Sequence, residues 1–134
     1  LIGEDRGAVW ALKAAAFDRR RIGAVLGLRM LGSYRFLTDN RDYNQFNHFW
    51  IPGALLDYDL PMLPALCAPR PVCLLDPVDQ LSRPLSPAKS RRLFRDSRTV
   101  FHRLDAPRAF SVAYSVRPKT ALTQALNLAK STAA

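Results

Sequence analysis

The chain has 134 residues, the length of one ordinary domain, with 49% hydrophobic and 23% charged residues. That balance is globular and excludes a disordered polypeptide. The formal net charge of +9 comes from sixteen Arg and four Lys against eleven acidic residues. Such an excess raises nucleic-acid binding as a function class. The basic residues, however, fall into Arg19-Arg20-Arg21, a second cluster of Arg91, Arg92, Arg95 and Arg98, and scattered singles. Neither cluster is interleaved with aromatics as a base-stacking platform would be, so no nucleic-acid partner is expected.

No run of about 18 apolar residues is present, so no helical membrane span is expected, and no signal peptide is visible. Cys67 and Cys73 lie in an apolar stretch without metal spacing or partner histidines, which predicts two buried free thiols. The chain opens on Leu1-Ile2-Gly3, read as the end of a strand. The expectation is therefore a fragment whose preceding strands lie outside this sequence. Compartment and oligomeric state are not legible.

An Ala-rich helix is expected over about 7–18, apolar nearly all round and so buried between a sheet and a covering layer. Ile22 to Leu28 is an apolar run without alternation, as suits a parallel strand covered on both faces. An excursion over about 29–58 follows, with an aromatic patch of Phe46, His48, Phe49, Trp50 and Ile51 stopped by Pro52-Gly53. A helix is expected at about 60–67, and a strand at about 71–76 with Pro at its first position. A helix at about 86–95 opens at Ser86 or Pro87, a strand covers about 98–104, and a final helix covers about 118–131. Alternating strands and helices imply an α/β fold with a parallel sheet, in three layers with helices on both faces.

Gly3-Glu4-Asp5-Arg6-Gly7 has the frame of a nucleophile elbow: glycines two residues either side of a central residue, after a strand end and before a helix. Glycines there relieve crowding at a sharp turn that lifts the central side chain above the sheet. Two later stretches join it. One is Phe49-Trp50-Ile51-Pro52-Gly53 running on to Pro61; the other is Ala65-Leu66-Cys67-Ala68-Pro69-Arg70-Pro71 running on to Asp79. Together they resemble the C-terminal half of α/β-hydrolases of the bacterial acetyl xylan esterase-like (dienelactone hydrolase-like) group. The resemblance covers nearly the whole chain, and its most specific part is the Ala-Pro-Arg-Pro lead into a strand. It implies carboxylic-ester hydrolase ancestry, with a carbohydrate ester or other small ester as ligand. Members of the group are often secreted or periplasmic.

Carried over by position, the resemblance puts the nucleophile at Asp5, the triad acid at Asp79 with Asp76 a close rival, and one oxyanion donor at the Arg6 N–H. His48 and Trp50 become pocket-lining candidates. The departures are large. Those esterases use Ser at the elbow, where this chain has Asp. Their His comes from the loop after the last strand, here read as Asp105 to Phe110, which holds none. Arg108 in that loop cannot replace it, because a guanidinium stays protonated. The chain is therefore expected to be inactive, with a degenerate triad. One alternative is a non-catalytic module that binds a carbohydrate or acyl group. Another is a hydrolase attacking through the Asp5 carboxylate and completed by residues N-terminal to this sequence. A relic Asp5 is expected to cap the following helix. His102, placed within a strand, reads as a packing residue. No His, Cys or carboxylate set has ligand spacing and no phosphate-binding glycine loop is present, so no metal or cofactor is expected.

Overall fold

The computed structural model describes residues 1–44 and 51–114. His48, Trp50 and the helix expected over 118–131 lie outside them. Strand β1, Ile2–Glu4, turns at Asp5 into helix α1, Arg6–Phe17. Strand β2, Val25–Leu28, leads to the short helices α2, Arg35–Thr38, and α3, Ala54–Asp57. A 3-10 turn at Leu60–Met62 runs into helix α4, Leu63–Cys67, and then strand β3, Val72–Leu75. Helices α5, Pro87–Leu93, and α6, Arg95–Arg103, precede a 3-10 turn at Pro107–Ala109 and strand β4, Phe110–Ala113.

The four strands form one wholly parallel sheet in the order β1-β2-β3-β4. When each strand is added on the same side of the last, right-handed crossovers put every connecting helix on one face. Accordingly α1 packs on β1 and β2, α4 on α1, and α6 on α4. Val25, Val72, Leu74 and Phe110 of the sheet meet Ala8, Leu12, Leu63, Phe94 and Phe101 of the helices in the main core. Phe110 stacks on Phe101 at 5.3 Å between ring centroids. The opposite face carries a second, smaller apolar cluster of Leu26 and Cys73, with Leu28 and Ala113 against it.

Two expectations are corrected. Residues 98–104 are not a strand: Arg95–Arg103 is helical and the last strand among the described residues lies at Phe110–Ala113. The buried positions Phe94, Ser97 and Phe101 are three and four residues apart, which is a helical stripe and not a two-residue alternation. Helix α1 is also not buried on every apolar side. Ala8, Val9, Ala11, Leu12 and Ala15 face the sheet, while Trp10 and Phe17 stand 71% and 90% exposed.

The Ala-Pro-Arg-Pro segment acts as a clamp. The Arg70 guanidinium donates to the carbonyl oxygens of Ala15 at 2.6 Å, Ile22 at 2.7 Å and Cys67 at 3.2 Å. Helix C-termini leave such carbonyls without intrahelical donors, and a cation there also meets the negative end of the helix dipole. One side chain thus closes α1, α4 and the lead into β2.

Candidate functional site

The turn between β1 and α1 is a strained elbow. Asp5 adopts φ 54° and ψ −117°, a region costly for a residue with a Cβ. The Asp5 N–H donates to the Leu28 carbonyl at 2.8 Å, extending the β1–β2 ladder by one bond before the chain reverses. The two glycines are not equivalent. A Cβ on Gly3 would lie 2.2 Å from the Gly7 carbonyl oxygen, so the first helical turn sits where that side chain would be. A Cβ on Gly7 would meet nothing within 4 Å. The crowding inferred for both glycines therefore holds for Gly3 alone.

Asp5 is exposed, and its side chain makes no capping hydrogen bond to α1. The expected capping role is overturned: a helix cap needs an extended backbone at that residue, and the elbow holds Asp5 in a different conformation. The Arg6 amide, at the first helical position, has no backbone acceptor among the described residues, as the first turn of a helix requires.

Asp5 belongs to a row. Arg29 and Asp76 stand one residue past β2 and β3 with φ of 50° and 47°. Their N–H groups donate to Leu75 and Ala113 at 2.8 and 3.0 Å. Strands β1, β2 and β3 thus end in the same way: one further ladder bond, then a left-handed residue that tips the chain off the sheet. The result is a carboxyl edge bearing Asp5, Arg29 and Asp76 in succession, and this is the edge where parallel α/β sheets hold ligands. Arg29 was not singled out from sequence. Its only signal was its place directly after an apolar run.

Asp79 lies four residues beyond β3, past that same edge. It is buried and fully engaged. One carboxylate oxygen accepts from the Leu81 and Arg83 amides at 2.9 and 3.0 Å, and the other from Arg83 Nε at 2.9 Å. Arg83 adds an ion pair at 2.9 Å. Burial by itself would raise this carboxyl, but the hydrogen bonds from Arg83 and Leu81 and the Arg83 charge outweigh it and hold the carboxyl below its usual range. Asp79 thus organises a tight turn, and its acceptor sites are filled by that turn. A separate carboxylate, Asp59, ties the loop after β2 to the turn before α4. It accepts from the Ser33 hydroxyl and from the Tyr34 and Leu60 amides, both at 2.7 Å. Sequence reading passed over Asp59 because an Asp before Leu-Pro looks like any turn residue.

The last strand among the described residues ends at Ala113, beyond the segment Asp105 to Phe110 in which a triad His was sought. The two histidines of the sequence, His48 and His102, both precede it. His102 is exposed on the last turn of α6. That helix leads back to the amino edge of the sheet, away from Asp5. The predicted thiols are free and buried, and burial pushes both upward, Cys67 against the nearby Arg70 charge. Beside the excursion, a small apolar cavity of about 160 Å³ is lined by Tyr34, Leu37 and residues 51–56. Among the described residues no cluster of His, Cys, Asp or Glu could hold a metal, and no helix is long and apolar enough to cross a membrane.

No protein-family model and no curated protein matches the chain. Among solved structures it is similar to a carbohydrate esterase family 15 (CE15) glucuronoyl esterase from Caldicellulosiruptor kristjansonii, with a TM-score of 0.67 at 19% identity. The match covers 96% of this chain and 41% of that one, so the chain spans less than half the length of the esterase. At that identity the likeness is one of fold. The parallel sheet, the helices on its face and this match together show an α/β-hydrolase-type fold.

Proposed function

We propose that this chain is an esterase-like α/β-hydrolase relative that keeps the elbow and does not catalyse ester hydrolysis. The observation that carries the reading is the state of Asp79. The carboxylate at the acid position is committed to Arg83 and its own turn, and among the described residues no His pairs with it. An elbow nucleophile needs a base oriented by a third group, and an Asp at the elbow still needs a base to activate the water that releases its ester intermediate. Asp5 as nucleophile, Asp79 as acid and the Arg6 N–H as oxyanion donor are thus relics of position in this reading. Descent from the acetyl xylan esterase-like group rests on the Ala-Pro-Arg-Pro segment, and a carbohydrate ester as ancestral substrate is in keeping with the CE15 likeness.

The test is steady-state hydrolysis of p-nitrophenyl acetate and of a methyl glucuronate ester by the 134-residue chain. No saturable rate above buffer is expected. Saturable turnover that disappears in Asp5→Asn would restore the Asp-nucleophile alternative.

A second reading, binding without turnover, is favoured by the apolar cavity beside Tyr34 and Leu37. Its lining suits an acyl chain more than a sugar. It is below the 300–1,000 Å³ of common ligand sites, so a short chain is the fitting occupant. Quenching of intrinsic fluorescence by butyrate or hexanoate tests it, and a flat titration with both rejects it.

A further inference from the structure

The second arginine cluster acquires a role once residues 95–103 are helical. Helices α5 and α6 are nearly continuous: Phe94 N–H donates to Ser90 and Arg98 N–H to Phe94, carrying the helical ladder through the junction. Arg91, Arg95, Arg98 and His102 are therefore spaced at four, three and four residues on one side of a helical rod, spanning roughly 16 Å. They line an open groove of about 400 Å³ together with Val112 of β4 and Tyr114 at its exit.

This row is electrostatically unbalanced. Like charges one helical turn apart repel. Among the described residues, the one carboxylate paired with these groups is Asp96, 3.5 Å from Arg95, with both side chains more than four-fifths exposed, a contact that contributes little. Arg98 is fixed with its guanidinium 5.4 Å over the Phe110 ring, and its Nε is shielded from solvent without a hydrogen-bond partner. A shielded donor without an acceptor is costly and calls for one.

We propose that this groove binds a small polyanion, a ligand carrying two or three carboxylate or phosphate groups. The volume matches small-molecule sites. Guanidinium forks pair bidentately with both kinds of anion. Phe110 is already covered by Arg98, which leaves Tyr114 alone as an aromatic surface, too little for successive nucleobases to stack on. The inference is independent of whether the carboxyl edge catalyses anything.

Isothermal titration of the 134-residue chain with citrate and with tripolyphosphate, at two salt concentrations, tests it. Arg91→Gln/Arg95→Gln alters two exposed side chains and keeps the fold, which circular dichroism checks. Arg98→Lys retains the charge and removes the fork. Saturable binding to at least one anion, weakened tenfold or more by the double variant and several-fold by Arg98→Lys, is expected. Tighter binding of citrate identifies a carboxylate ligand and tighter binding of tripolyphosphate a phosphate ligand. Arg19→Gln/Arg20→Gln, in the other basic cluster, should leave affinity unchanged. Absence of saturation with both anions would overturn the proposal, as would equal loss in the Arg19/Arg20 variant. Tighter binding of a single-stranded oligonucleotide, abolished by the groove variants, would also overturn it in favour of a nucleic-acid surface.

Discussion

Asp5 shows how much one backbone position can preserve. Its left-handed, strained conformation is that of an elbow, yet its side chain neither caps α1 nor pairs with a described residue. Gly3 makes that turn sterically feasible, and the two glycines should separate cleanly on mutation. Gly3→Ala forces a Cβ into the Gly7 carbonyl and should cost about 3 kcal/mol or more, at or beyond the upper end of overpacking. Gly7→Ala has open space and should be neutral or stabilising by roughly 0.5–1 kcal/mol through helix propensity. Urea midpoints of the two variants check this, and a similar loss in both would refute the asymmetry. Asp79 gives a prediction in pH. Its folded carboxyl is held below the unfolded value of about 3.9, so its stabilising contribution is present above that pH and lost as pH falls through the folded value. Asp79→Asn should flatten the fall in stability below about pH 4, and an unchanged acid limb would exclude this role.

Local pattern was a good guide to elements where it was long or bounded by proline, and a poor one where apolar residues were few. The strands near 25 and 72, the first helix and the Ser86–Pro87 helix start were legible from apolar runs and punctuation. Ser86 does cap α5, accepting from the Lys89 amide at 3.3 Å. The stretch 98–104 misled because Thr99, Val100 and Phe101 are residues that favour strands, while the burial that decides the matter runs through Phe94, Ser97 and Phe101. Arg70 shows the opposite case, a motif recognised by resemblance whose physical content appears only in three dimensions. Arg70→Met keeps much of the side-chain volume and removes the guanidinium donors to Ala15, Ile22 and Cys67. It should destabilise the chain by about 2–3 kcal/mol, the worth of charge-assisted hydrogen bonds, read as a lower denaturant midpoint at constant slope. A change below about 0.5 kcal/mol would mean that the clamp is ornamental.

Across the whole molecule, topology and chemistry part company. The parallel order β1-β2-β3-β4 and the elbow carry the α/β-hydrolase-type fold, and the sequence conveyed this through its alternation of strands and helices. The site was less legible. The lack of a His was read in Asp105 to Phe110, a segment that precedes β4, and the engagement of Asp79 with Arg83 depends on a turn whose hydrogen bonds no spacing announces. Fold and function are separable for this reason: the scaffold sets where a nucleophile would stand, and a few side chains decide whether it reacts. Restoring the hydroxyl alone separates the two. Rates of p-nitrophenyl acetate hydrolysis should be compared for the native chain and for Asp5→Ser, with folding verified for both. A relay lacking a base predicts that both remain at the buffer rate despite a serine at the elbow. Saturable turnover by either protein would contradict it.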